Sequence, residues 1–483
     1  MQPRRPGDPT HRTPLGRKNN TMTGLTQTLA RFIRASSLGD LPEGAVDKAK
    51  KAIADTFAVM LAGAGSALAE PMLRYVELSG ERGDTPIFAT AHTATPEVAA
   101  LANGAFGHAL DFDDVLSMMP AHPSAVILPA LCASLGRQTV SGADFMEAYA
   151  TGIEVGGKIG LGITVGHYHR GFHGTGTLGI FSALAALAKL HRLDIATTRI
   201  AFGIAASMAS GVQRNFGTMT KPLHTGWAAR SALAALRLSA CGFTAALDVL
   251  EAKAGFFAAY GVQQSDPAVT AEGLGKPWVL ADPGIALKKF PCCYACHRGM
   301  DGVLELKRRH RFKAEDVERL TCRMPPGGMR VLTYPKPATG LEGKFSLEYA
   351  LAAGVLDGQY TLATFTDEAV RRPAIGALLA RITATEDERC KGDDPLFETR
   401  SPGSRGFVEL ELRLRNGTHD TVRIERPPGH PSRELSWADI EAKFTDCAAY
   451  ARLPAQRGAR AFALIRSLET VDDVCEILDL LHD

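Results

Sequence analysis

Apolar residues recur every three to four positions through most of the first 250 residues, a spacing that predicts helices. Pro42 suits a first helical position, and Val46, Ala49, Ile53, Phe57 and Met60 share a face until Gly63 and Gly65 stop the run. Thr95-Pro96 opens a second helix with Val98, Leu101, Ala105 and Ala109 on one stripe. Ser141-x-x-Asp144 has the form of a capping box; its helix carries Phe145, Tyr149, Gly152 and Gly156 towards Lys158, before a glycine-rich loop over 160–171. Further helices are expected near 176–191, 195–210, 223–241 and 245–252, each so rich in Ala and Gly that it buries most of its circumference. A short extended link at Pro86–Ala89 aside, no strand pattern precedes residue 285.

The period changes after Pro283. Leu320–Met324 reads as a strand, and Phe407–Arg415 alternates strictly before Asn416-Gly417, a hairpin turn signal into Thr421–Ile424. Helices near 298–310, 345–356 and 366–381 lie between these strands. Pro427-Pro-Gly-His-Pro431 reads as a linker, Ser436-x-x-Asp439 caps another helix, and Leu464, Val471, Val474 and Leu478 keep helical spacing to the end. The expected fold is mainly α: a large all-helical domain over 22–285 and 431–483, with a smaller α+β domain inserted at 286–430 as a lid. Residues 1–21 hold Arg4, Arg5, Arg12, Arg17, Lys18 and four prolines, and read as a disordered tail.

The totals narrow the function. Lys and Arg number 54 against 52 Asp and Glu, so no global field points to nucleic acid or a membrane surface. No stretch approaches the roughly 20 apolar residues of a membrane span. Nine irregularly placed cysteines suit the reduced thiols of a cytoplasmic enzyme.

Polar islands interrupt the helical language. His108 and Asp111 are three apart on a helical face, with Asp113 and Asp114 beside them. These acids invite a metal, against which no second cluster has ligand spacing. His122-Pro-Ser124 places a proton-transferring side chain before an apolar helix. Gly174-Thr-Gly176-Thr-Leu-Gly179 matches G-x-G-x-x-G but lacks a preceding strand and a βαβ unit, which excludes a dinucleotide site. It reads instead as a glycine-rich helix start where N–H groups and the hydroxyl of Thr177, beside His173, meet a carboxylate. Lys221 between apolar helices needs an anion, and Lys288 with Lys289 gives a second cationic point. Cys292, Cys293, Cys296 and His297 resemble a metal knuckle without a partner pair, and read as structural thiols. Lys344 and Tyr349 are placed to reach in from the smaller domain. Histidines, lysines and a carboxylate suit acid/base chemistry on a small polyanion.

These islands together resemble the MmgE/PrpD family: Ala-Leu-Asp-Phe-Asp-Asp114, His122-Pro-Ser, Phe172-His-x-x-x-Thr177-x-Gly, Thr220-Lys-Pro-Leu-His, Lys289-Phe-Pro and Lys344-Phe-Ser-Leu-x-Tyr349. The likeness runs from Leu25 onward. It implies a homodimeric lyase without metal or other cofactor, acting on a small di- or tricarboxylic acid. A dehydratase or hydratase is expected first, a cis-aconitate-type decarboxylase or an epimerase next, and a silent polycarboxylate-binding protein as the other class. Roles carry over to Asp111, His122, His173 and Tyr349 as catalytic groups, and to Lys221, Lys288, Thr177, Cys293 and Lys344 as substrate contacts. Two positions depart from the family's decarboxylase: Val115 stands where it has Thr, and Cys293 where it has His.

Overall fold

The computed structural model describes residues 24–136, 138–395, 397 and 403–482; the basic stretch over 1–21 lies outside them. The helices begin where their capping chemistry places them. Thr95 precedes Pro96 at the first position of the helix Pro96–Ala109. Ser141 Oγ accepts from the Asp144 backbone N–H at 3.1 Å to start Gly142–Ile163, and Ser436 with Asp439 forms a reciprocal capping box on Trp437–Tyr450. Apolar side chains then decide the packing. One core gathers Leu25 to Leu287 together with Leu435 to Leu481, so the last helices return to the first. A second core gathers Phe290 to Val422, joined by Phe216. Among the described residues no single helix is long and apolar enough to cross a membrane.

Glycine sets how close the central helices come. A Cβ on Gly226 would lie 2.0 Å from the carbonyl oxygen of Leu101, and one on Gly104 would lie 2.7 Å from Gly226 Cα. The helices Pro96–Ala109 and Thr220–Ala240 therefore cross backbone to backbone, which only glycine at both positions permits. This crossing brings the end of the first helix, at His108, beside the start of the second, at Lys221.

Several expectations differ in detail. The helix starting at Gly142 runs to Ile163, through glycines expected in a loop, because tight packing makes them assets there. Residues 245–252 form turns rather than a helix. Lys221 does not interrupt two helices but lies in the first turn of Thr220–Ala240, where Pro222 loses no needed donor. A two-residue pair, β1 (Thr85–Pro86) with β2 (Thr93–Ala94), precedes residue 285. In the second region, β3 (Val317–Met324), β4 (Ile382–Glu386), β5 (Val408–Leu414) and β6 (His419–Ile424) form one sheet in the order β4-β3-β5-β6. β4 pairs parallel to β3 and the other pairs are antiparallel. β4 carries too short an apolar pattern, Ile-Thr-Ala-Thr-Glu, to announce itself, and the helical pattern before it resolves into Asp367–Val370 and Pro373–Leu379. The chain passes between the two cores along adjacent segments, where the Leu287 N–H donates to the Gly429 carbonyl at 2.9 Å.

Candidate active site

The site is organised by a strained residue. Immediately past the helix Pro96–Ala109, Asp111 takes the left-handed conformation, with φ of 50°. Asp tolerates that region better than most side chains, at a cost of about 1–2 kcal/mol. The bend turns the carboxylate, 3% exposed, between two buried ammonium groups. Lys221 Nζ donates to Oδ2 at 3.0 Å, and Lys288 Nζ donates both to Oδ1 and, at 2.9 Å, to the Asp111 carbonyl. Burial alone would raise the Asp111 carboxyl, but the Lys221 and Lys288 charges override it and hold it well below the usual carboxylate range. Burial likewise opposes the Lys288 ammonium, yet Asp111 and Asp113 lift it above its ordinary value.

Three histidines gather around this pair. The His108 and His122 rings lie 4.3 Å apart, and His173 is 5.8 Å from His108 and 6.2 Å from His122. His122 Nδ1 is 2.7 Å from the Asp114 carbonyl oxygen, which only accepts, so Nδ1 carries the proton and Nε2 keeps its lone pair. The His122 backbone N–H donates to Thr175 Oγ1 at 3.2 Å. Burial pushes His122 well below its ordinary range despite the nearby Asp113, so the ring is neutral at neutral pH. His173 Nδ1 lies 3.0 Å from His224 Nδ1, whereas its Nε2 is buried with no hydrogen-bond partner among the described residues. That ring is also driven towards its neutral form by burial and by Lys221.

A cleft opens over these groups. Asp111, His122, His173 and Lys221 line one side; Cys293, Tyr294, Ala295, Val331 and Phe345, from the second region, line the other. Val115, Tyr168 and Phe216 complete the wall. Both positions that depart from the family's decarboxylase, Val115 and Cys293, therefore face the cleft. Burial raises the Cys293 thiol to about 12, which keeps it protonated.

The remaining expected residues stand behind the cleft. Lys288 is fully buried and reaches the site only through Asp111. Lys344 donates to the carbonyls of Leu110 at 2.8 Å and Pro291 at 2.7 Å, tying the two regions together. Thr177 Oγ1 meets His167 Nε2 at 2.7 Å, and the N–H groups of Gly176 and Thr177 are occupied by the His173 carbonyl. The expected anion-binding helix start thus acts by fixing His173. Tyr349 packs in the second core and donates its hydroxyl to the Thr364 carbonyl; Tyr168 and Tyr294 line the cleft instead. Tyr168 escapes the sequence analysis; His108 and Asp113 stand out in it and His224 closes a quoted motif, but the contacts of His108 with Lys221 and of His224 with His173 do not show there.

Ring nitrogens and carboxylate oxygens of His108, Asp111, Asp113 and His122 approach one another closely enough to surround a cation. Two of these lone pairs are already used: His108 Nε2 and Asp111 Oδ2 both accept from Lys221. A metal ion there would sit against an ammonium, so the donor set does not fit one.

The chain resembles known proteins over most of its length. Residues 27–267 match the MmgE/PrpD N-terminal domain and residues 290–470 the MmgE/PrpD C-terminal domain. The chain is 28% identical to mouse cis-aconitate decarboxylase over 436 residues, covering 88% of this chain and 86% of that one. It is 27% identical to the human cis-aconitate decarboxylase over 472 residues, covering 95% of each. Cupriavidus necator 2-methylcitrate dehydratase is 29% identical over 137 residues, 28% of this chain and 27% of its own length. The chain belongs to the MmgE/PrpD family.

Proposed function

We propose that the cleft is the active site of a lyase acting on a small di- or tricarboxylic acid of the aconitate or 2-methylcitrate kind. It works without a resident metal, and its reaction is the loss or addition of water. The observation that carries this reading is the state of His122: its Nδ1 proton is held by the Asp114 carbonyl, which leaves Nε2 basic beside a buried ammonium. In the forward direction Lys221 and His173 Nε2 hold a substrate carboxylate. His122 Nε2 takes the proton from the neighbouring carbon, breaking that C–H bond. The ammonium opposes the negative charge that builds on the carboxylate, which is the largest service a preorganised site gives such a reaction. The electron pair forms the C=C bond, and the β-hydroxyl leaves as water with a proton from a cleft donor.

Decarboxylation is the second reading, favoured by relatives named cis-aconitate decarboxylase whose likeness spans nearly the whole chain. It needs a proton donor where dehydration needs a base, and the neutral, lone-pair-bearing His122 supports the latter. Incubation with citrate, 2-methylcitrate and cis-aconitate in heavy water, followed by NMR, separates the outcomes: water loss, CO₂ release, or deuteration without net change. Replacing His122 by Ala should lower kcat by about 10²–10⁴-fold if it transfers the proton. Carboxylates that raise the melting temperature of the protein without any turnover would make it a binding protein instead.

A further inference from the structure

His108 neither lines the cleft nor touches solvent, being 1% exposed, yet its ring is held at both ends. Nδ1 lies 2.8 Å from each oxygen of Asp113, and Nε2 lies 2.8 Å from Lys221 Nζ. A carboxylate only accepts and an ammonium only donates, so the ring carries its proton on Nδ1 and its lone pair on Nε2. Lys221 therefore places one N–H on His108 and one on Asp111, 3.0 Å away. The third is left for the cleft, which Lys221 lines between the rings of Phe216 and Phe345, 5.1 and 5.2 Å from Nζ.

A neutral acceptor has a consequence that a second carboxylate would not. It stabilises the ammonium without cancelling its charge, so the cleft keeps its attraction for an anion. We propose that His108, oriented by Asp113, is a positioning residue that keeps Lys221 charged and aims its third N–H into the cleft. The groups facing Lys221 besides His108 are Asp111 and Asp113, the Lys288 and Lys344 ammonium groups, His122, His173, His224 and the Cys293 thiol. Removing His108 leaves Asp111 as the remaining close acceptor against burial and Lys288, and both of those favour the neutral amine.

The test follows the charge on Lys221 itself. Lysine ammonium resonances of the ¹⁵N-lysine-labelled protein are titrated with pH, and Lys221 is assigned by its loss in K221R. In H108L its midpoint should fall by at least about one pH unit, the size expected for losing one hydrogen bond to a charged group. In H108Q, whose carbonyl still accepts but cannot titrate, the midpoint should stay near that of the wild type. The alkaline limb of citrate binding, measured by calorimetry, should move with it. A merely structural role would weaken binding at every pH without moving that limb. An unchanged Lys221 midpoint in folded H108L overturns the proposal. Should H108L not fold, H108F, which keeps a ring but offers no acceptor and changes no charge, gives the same test, and an unmoved midpoint there is equally fatal. The functional consequence rests on the carboxylate reading, but the titration does not. A shifted midpoint in a protein that binds no carboxylate sustains the role of His108 and ends that reading.

Discussion

Asp111→Asn removes one negative charge from between two buried ammonium groups while keeping the shape of the side chain. Lys288 is fully buried and Lys221 is 4% exposed, so neither charge regains water. Breaking a buried ion pair by neutralising one partner costs about 3–5 kcal/mol. At about 2.1 cal/mol/K per residue, 483 residues give an unfolding entropy of about 1 kcal/mol/K, so the melting temperature should drop by about 3–5 °C. The sign of the pH dependence is specific. In the wild type the Lys288 ammonium is lifted above its ordinary value, so its stabilising contribution is complete below that value and fades only above it. In D111N both lysines are depressed, the unfolded chain binds more protons than the folded one, and stability rises as pH increases towards the ordinary lysine range. The deficit of the variant should therefore shrink between pH 7 and pH 9.5, as followed by calorimetry. A deficit that is absent, or equal at both pH values, refutes the view that Asp111 is there to hold two charged lysines.

Asp114, three residues on, should behave oppositely. Burial raises it to about 8, so it is protonated at neutral pH and D114N should melt close to the wild type. Because the unfolded chain ionises this carboxyl in the ordinary range while the folded one keeps its proton up to about 8, wild-type stability falls across that interval and the variant should gain on it between pH 5 and pH 8; a flat difference disproves the neutral form. Burial of His122 predicts that the acid limb of kcat/KM lies below pH 6.5, and a limb above that value removes it as the base. Gly226→Ala puts a methyl group on the Leu101 carbonyl and should cost about 1–3 kcal/mol, with a larger fall in activity than in melting temperature as Lys221 is displaced. Lys443 donates to the carbonyls of Phe112 and Lys288 at 2.8 and 2.9 Å and pairs with Asp55 at 2.7 Å. K443M should cost about 3–5 kcal/mol, and adding D55L should recover most of it; no recovery in the double variant argues against an unpaired Asp55 as the cause.

Much of the fold was legible because helices announce themselves by period and cap. Thr95-Pro96, Ser141 with Asp144, and Ser436 with Asp439 all mark true starts. What escaped depends on packing partners that lie far along the chain. Gly160 and Gly162 look like a loop until Met119 and Thr270, packed against them, supply the reason for them, and β4 is too short to be read without β3 beside it. In the site, residue types with no packing reason to be present were visible: Asp111, His122, His173 and Lys221 do converge on one cleft. Orientation was not. Tyr349 lies in a family motif, yet its helix turns it into the second core, while Tyr168 from the short helix Val165–His169 faces the cleft. His108 was visible as a residue but not as a partner, because Lys221 stands 113 positions away.

The charge around the cleft is deliberately incomplete. Asp111 is the carboxylate bonded to both ammonium groups, Asp113 acts on them from a distance across His108, and the other hydrogen bond that Lys221 donates is accepted by that neutral ring. Buried cations are expensive unless compensated, so this arrangement is most stable when an anion completes it. The third N–H of Lys221 and the unpartnered Nε2 of His173 lie on the same side of the cleft. The opposite wall brings Cys293, Tyr294, Ala295, Val331 and Phe345, none charged at neutral pH. In the proposed reaction, carboxylate binding and proton transfer belong to the helical core, where the Gly104–Gly226 crossing sets the approach of the helices. Discrimination among carboxylates of different shape belongs to the second region and to Val115, where side chains exchange size without disturbing the charges.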